Sequence, residues 1–257
     1  MVFLFDVLIL IGFFTVFWAI AQVKKNNAIV DVGWGLGFVV LAVFSLFYRG
    51  FDPVSFVAIA VTVLVALWGF RLFFYISVRN FGKPEDYRYR EMRVKWGPKH
   101  QALKAYFKVF LPQALFMFAI AAPIHAAVLD AGTVSFWWSV PGILFFLVGF
   151  YFEAVGDAEL RHFVKNPENK GKIMQSGLWR YTRHPNYFGE IVMWWSLFLI
   201  VLPTTWGFIA IISPITITYL LIKVSGIPLL EKKYRDNPAF QEYARKTSVL
   251  FPWLPRK

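Results

Sequence analysis

Seven stretches of this sequence stay apolar for about the thickness of a lipid bilayer, and that regularity decides what the chain can fold into. They run roughly 2–22, 28–48, 54–78, 109–129, 136–156, 186–202 and 206–223. About 20 apolar residues in helical form cross the ~30 Å hydrocarbon core, where every backbone polar group must find its partner within the protein. With 58% hydrophobic and only 16% charged residues, the chain is too apolar for a soluble domain. The expectation is an all-α, multi-pass membrane protein of about seven transmembrane helices, built as one domain over 1–257. The first run lacks a basic leader, so it reads as a retained span rather than a cleaved signal.

Orientation follows from where the 27 Lys and Arg fall. Segments 23–27, 79–108, 161–183 and 223–257 hold 2, 9, 6 and 8 of them; the intervening loops hold only Arg49, and Arg71 lies inside the third run. Basic loops stay in the cytoplasm, which predicts an outer N-terminus and a cytoplasmic C-terminus. The net charge of +12 is then a property of one face. It suits anionic lipid headgroups or an anionic soluble ligand, and nucleic acid is not an expected partner. There is no cysteine, which excludes disulfides, thiolate nucleophiles and iron–sulfur ligation. The four histidines, at 100, 125, 162 and 184, show no paired spacing, so no metal site is expected and His125 reads as a packing residue.

Ionisable groups at membrane depth are expensive and tend to be functional or paired. Here they are Asp31, Arg71, Glu153, Asp157, Glu190 and Lys223. The stretch Gly-Leu-Trp-Arg-Tyr-Thr-Arg-His-Pro-Asn-Tyr-Phe-Gly-Glu at 177–190 runs from a charged loop into an apolar helix. Pro185 suits the first turn of that helix, with His184 or Thr182 as the cap. A spacing of four puts Asn186, Glu190 and Trp194 on one face, below Arg180, Arg183 and His184. A helix N-terminus with cations around it is a place for phosphate or carboxylate. Glu153, Asp157 and Arg161 form a second polar stripe, either an internal Asp157–Arg161 ion pair or acceptors for hydroxyls and amides. It leads to Lys165, Lys170 and Lys172, which suit phosphates.

In the second run, Asp31 precedes glycines 33, 35 and 37. No strand precedes them, so they read as a close helix contact rather than a dinucleotide loop. Asp31 and Arg71 are candidates for a pair within the bundle. Tyr87, in the loop at 80–90, is either a proton donor or part of an interfacial aromatic belt.

These motifs resemble the C-terminal region of the membrane steroid 5α-reductase family, and more closely its bacterial members of unassigned function. The likeness rests on Glu153, Asp157, the Asn-Lys-Gly-Lys at 169–172, the stretch 177–190, Trp194-Trp195 and Ser-Gly-Ile-Pro-Leu-Leu-Glu-Lys-Lys-Tyr at 225–234. The family-like region is 150–257. For the bacterial group the likeness extends to Val30-Asp31 and to Glu85 through Tyr89. The resemblance implies a seven-helix fold in a bacterial inner membrane, with NADPH in a cytoplasm-facing cavity. The substrate would be a lipid-like molecule, whether steroid, isoprenoid or acyl chain, whose activated carbon–carbon double bond is reduced. It implies cofactor contacts at Glu153, Asp157, Tyr181, Arg183, His184, Asn186, Tyr187 and Glu190, with Arg161, Lys165, Asn169 and Lys172 toward the phosphates.

Two departures bear on the chemistry. Trp68 stands near the position of the steroid enzymes' activating Tyr, and no Gln-Glu pair occurs near Asn26-Asn27. The candidate catalytic groups are Asp31, Arg71 and Tyr87, with Asp31, Tyr75 or Tyr87 as the proton source. The Arg-His-Pro-x-Tyr motif is also similar to membrane methyltransferases of the isoprenylcysteine and phospholipid type, which implies S-adenosylmethionine as the alternative cofactor. A non-catalytic lipid-binding relative is the third reading. Membrane lipids and a lipophilic small molecule are the expected partners, and the sequence carries no signal for oligomeric state.

Overall fold

In the computed structural model the described residues are 2–48, 55–130, 132 and 134–256. They form helices and loops, with α1 (Val2–Lys24), α2 (Ile29–Tyr48), α3 (Phe56–Asn80), α4 (Tyr87–Trp96), α5 (Gln101–Ala105) and α6 (Leu111–Ile120) followed by α7 (Ala122–Val128). The second half holds α8 (Phe136–Lys165), α9 (Pro185–Val201), α10 (Ile212–Tyr219), α11 (Ile227–Tyr234) and α12 (Pro238–Lys246). The short loop expected around Arg49 lies outside the described residues.

Among the described residues, six stretches are long and apolar enough to cross a membrane: Phe3–Lys24, Ile29–Phe47, Phe56–Asn80, Gln101–Ile120, Phe136–Lys165 and Gly207–Tyr234. The expected seventh, α9, has only 17 residues and is not among the six. The chain is an all-helical, multi-pass membrane protein. The fourth span differs from expectation: it runs from Gln101 to Ile120 rather than over 109–129. A π-helical turn at Tyr106–Phe110 carries α5 into α6 without a break. Ala121 then leaves helical geometry at φ −72°, ψ 1°, and Pro123 opens the separate α7.

By compactness the chain divides into two units, Met1–Val134 with Pro203–Ala210, and Ser135–Leu202 with Ile211–Lys257. In the first, α2 and α3 meet at glycines. A Cβ on Gly69 would stand 2.6 Å from the Gly35 carbonyl oxygen and 2.6 Å from Val39 Cγ2, so the two backbones touch. Helix contact is thus what the glycines near Asp31 provide. Phe38 and Trp68 pack beside this contact with ring centroids 5.5 Å apart.

In the second unit, α8 and α9 run antiparallel over a stripe of three α8 glycines spaced by seven. A Cβ on Gly142 would meet Ile200 Cγ1 at 2.5 Å, one on Gly149 the Gly189 oxygen at 2.7 Å, and one on Gly156 the Pro185 ring at 3.0 Å. Seven residues are about two helical turns, so all three glycines lie on one face. Lipid offers no hydrophobic drive for helix pairing, and small residues supply the close van der Waals contact instead. This contact sets the level at which Pro185 opens α9 beside Gly156.

Candidate functional site

The two polar features of the sequence come together where α9 begins. The Asn186 side-chain amide donates to Asp157 Oδ1 at 3.1 Å, joining α9 to α8. Glu153 lies one turn before Asp157 and Glu190 one turn after Asn186. Because the helices are antiparallel, both carboxylates lie deeper along the same direction. Glu153, Asp157 and Glu190 are all buried, at 3%, 4% and 8% exposure. Trp194, one turn beyond Glu190, is closed off at 1%. The result is a column of acceptors with one amide at the α9 N-terminus, where the Asn186 Oδ1 accepts from the Tyr187 N–H at 3.1 Å.

The loop entering α9 is fastened by residues from the end of the chain. Arg183 Nε and Nη2 donate to the two carboxylate oxygens of Glu231 at 2.8 and 3.3 Å. Its Nη1 donates to the carbonyls of Thr247 at 2.7 Å and Ala244 at 3.0 Å. Its backbone N–H donates to Ser248 at 2.8 Å. The guanidinium fork is thereby committed to the protein's own chain. His184 Nε2 lies 3.0 Å from Glu231 Oε1, and its ring stacks on Tyr187 with centroids 5.5 Å apart. Thr182 Oγ1 accepts from the His184 backbone N–H at 3.3 Å, while His184 occupies the cap position without a side-chain cap bond. The Tyr243 hydroxyl donates to the Trp179 carbonyl. Burial holds that phenol well above its ordinary pKa, which keeps it a donor.

The preceding loop stays open. Arg161, Lys165 and Lys172 are exposed, while Asn169 is half-buried and donates to the Phe163 carbonyl at 3.1 Å. Tyr181 is exposed, with the Arg180 guanidinium 6.0 Å from its ring. Gly177 adopts φ +60°, and Glu159 accepts from the next backbone N–H, Leu178, at 2.9 Å.

The remaining candidates are in the first unit. Asp31 takes its partners from α4: Arg88 Nη2 donates to one carboxylate oxygen at 2.9 Å and the Tyr89 hydroxyl to the other at 2.6 Å. The sequence offered Arg71 for this role; the structure sets the Arg71 guanidinium 5.1 Å from the Tyr75 ring. Burial would discharge Arg88, but the carboxylates of Asp31 and Asp86 outweigh it and hold the guanidinium charged. Burial and the Asp31 charge together keep the Tyr89 phenol neutral. Tyr87 opens α4 and is half-buried.

The model of the family described as "Protein of unknown function (DUF1295)" matches residues 17–247. The chain belongs to that family. Three likenesses to known proteins are informative. An uncharacterized protein of Schizosaccharomyces pombe is 26% identical over 209 residues, covering 72% of this chain and 60% of that protein. The chain therefore spans less than two thirds of that relative's length. A steroid 5-alpha-reductase of Gossypium hirsutum is 37% identical over 62 residues, 24% of each chain. A probable O-methyltransferase of Ustilaginoidea virens is 39% identical over 70 residues, 26% of this chain and 25% of that one. No solved structure matches.

Sequence reasoning missed several groups of this DUF1295 member. Glu231 is the residue on which Arg183 and His184 converge, and Glu159 and Tyr243 brace the same loop. Arg88 and Tyr89 were within the quoted motif, but their i, i+1 position gave no hint that both face Asp31. His125 does pack, between the rings of Phe118 and Phe3. It also places Nδ1 3.2 Å from Asp6 Oδ2, while Ser45 donates to Asp6 Oδ1 at 3.1 Å. An Asp at the fifth position of an apolar helix was the available signal.

Proposed function

We propose that this chain is an NADPH-dependent membrane reductase that saturates a carbon–carbon double bond in a lipid-like substrate such as a steroid, isoprenoid or unsaturated acyl chain. The observation that carries the proposal is the Asn186–Asp157 hydrogen bond, with Glu153 and Glu190 buried one turn deeper. An amide and three carboxylates offer the donor and acceptors that a nicotinamide amide and ribose hydroxyls require. Arg161 and Lys165 at the exposed end of α8, with Asn169 and Lys172 in the loop that follows, are suited to phosphates, and Tyr181 and Tyr187 add aromatic faces. The residues fit the cofactor. When bound, NADPH supplies the hydride for the β-carbon of an activated double bond.

The chain's own part is positioning. Asp157 fixes the direction in which the Asn186 amide points. Arg183 and His184, anchored on Glu231, hold the entering loop in one conformation, so the start of α9 binds without further ordering. Asp31, Arg71 and Tyr87, in the first unit, are proposed as catalytic groups, with Asp31 or Tyr87 handling the proton, Arg71 supplying a fixed charge, and Tyr89 added by its bond to Asp31. The basic loops are proposed to face the cytoplasm of a bacterial cell, with the protein in its inner membrane.

The likeness to a probable O-methyltransferase favours one other reading, methyl transfer from S-adenosylmethionine to a lipid. Thermal unfolding of detergent-purified protein with NADPH, NADH or S-adenosylmethionine separates the two, because a ligand that binds only the folded state raises the melting temperature. A rise with NADPH alone is the expected result. A rise with S-adenosylmethionine alone replaces the reductase reading with methyl transfer.

A further inference from the structure

We infer that the C-terminal segment 247–256 is a membrane-surface anchor that docks on anionic phospholipid beside the loop entering α9. The segment is folded back on itself, since the Arg256 N–H donates to the Lys246 carbonyl at 2.8 Å. It is also pinned to the α9 entrance. Thr182 pairs with Ser248 as an isolated β-bridge, Thr182 Oγ1 donates to the Leu250 carbonyl at 2.8 Å, and the Trp253 N–H donates to Tyr181 at 2.9 Å. Its shape is therefore fixed by backbone bonds at both ends and in the middle.

Fixed in this way, the segment turns its largest side chains outward. Leu250 is buried at 7%, whereas Phe251, Trp253 and Leu254 are 69%, 74% and 74% exposed. Single exposed apolar residues are ordinary on protein surfaces. Three within four positions, on a clamped loop with prolines at 252 and 255, are not explained by chain disorder. Cations surround them: residues 245–257 contain Arg245, Lys246, Arg256 and Lys257 and no Asp or Glu. Glu242 pairs with Lys246 at 2.8 Å, which leaves the local balance positive.

The depth of the segment matches this reading. Counting along α8 from Phe136, a ~30 Å core is crossed in about 20 residues, near Gly156. Gly156 packs against Pro185, and the segment bonds to residues 181–183 just beyond it. That is the headgroup level, where aromatic side chains with basic neighbours reside. Acyl chains would meet Phe251, Trp253 and Leu254, and phosphates would meet Arg245, Lys246 and Arg256.

The absence of cysteine makes a direct test simple. Leu254→Cys, labelled with an environment-sensitive fluorophore, is reconstituted into vesicles of phosphatidylcholine alone or with 30% phosphatidylglycerol. Correct folding is checked by an unchanged melting temperature. The expected result is a blue-shifted label quenched by spin-labelled lipid and shielded from iodide, with at least twofold stronger quenching in the anionic vesicles. Arg245→Gln with Arg256→Gln should remove that difference. A label open to iodide in both mixtures overturns the anchor, and so does one shielded from both quenchers, which would mean a protein partner. Equal lipid quenching in both mixtures overturns the anionic assignment.

Discussion

Asn186 donates its side-chain amide to Asp157, 29 residues earlier in the chain and on another helix, at 3.1 Å. The bond fixes the rotation of the α9 N-terminus against α8 at the point where the polar column begins. A hydrogen bond to a charged acceptor contributes about 1.5–3 kcal/mol. Asn186→Ala should therefore weaken NADPH binding about tenfold, equivalent to about 1.4 kcal/mol, with the unliganded melting temperature changing by only a few degrees. Glu190→Gln should act in the same direction. Titration of both detergent-purified variants is the check, and NADPH affinities within twofold of the parent for both would remove the site assignment.

The α8–α9 contact leads to a prediction about stability. Gly149 lies against the Gly189 backbone oxygen and Met193 Cγ, at 2.7 and 2.8 Å from where a Cβ would stand. Gly149→Leu must push the helices apart, and overpacking of this kind costs about 1–3 kcal/mol or more. Gly12, on α1, has nothing within 4 Å. Gly12→Leu should leave thermal unfolding nearly unchanged, whereas Gly149→Leu should lower the melting temperature or abolish recovery from the membrane. Equal behaviour of the two variants would refute the contact.

The sequence was most legible where chemistry is local. Apolar run length predicted the spans, and Pro185 after a charged loop predicted where α9 starts. The glycines near Asp31 read as packing because nothing around them could form a strand. What escaped was pairing between distant positions. No spacing rule connects Arg183 to Glu231 or Asp31 to Tyr89, since the separation along the chain is set by loops whose course is a tertiary property. The stripe Gly142, Gly149 and Gly156 was readable in principle as a period of seven. The fourth span shifted because a π turn and a proline, rather than hydropathy, decide where it starts and ends.

Arg183 reaches five acceptors on the end of the chain, counting its backbone N–H. Lysine keeps the charge but not the fork, so Arg183→Lys should release the segment 247–256 while α9 stays helical. The pair with Glu231 is only partly buried, with side chains 8% and 25% exposed, so a cost of about 2 kcal/mol is the reasonable scale for the lost charged hydrogen bonds. Hydrogen exchange should quicken at the amides of Trp253 and Arg256, which now donate to Tyr181 and Lys246. Glu231→Gln should give a smaller version of the same pattern. Unchanged exchange at both amides in Arg183→Lys would mean that the backbone bonds hold the segment without the guanidinium.

The start of α4 should respond to acid. Asp86 caps this helix, accepting from the Arg88 backbone N–H at 3.0 Å and from Arg88 Nε at 2.9 Å. Partial burial alone would raise its pKa. The bonds and charge of Arg88 outweigh that and hold the carboxyl below its ordinary value. A carboxyl whose folded pKa lies below its unfolded one stabilises the folded form above the unfolded value, about 3.9, and loses that contribution as pH falls through the folded value. The amides of the first turn of α4 should therefore be protected equally at pH 7 and pH 5. After correction for intrinsic rates, protection should decline below about pH 4. Asp86→Asn retains an acceptor oxygen for the cap but no charge, so its protection should be lower at pH 7 and flat across the same range. A decline of equal size in Asp86→Asn would assign the acid response to another carboxyl, with Asp31, the other acceptor of Arg88, the next to replace.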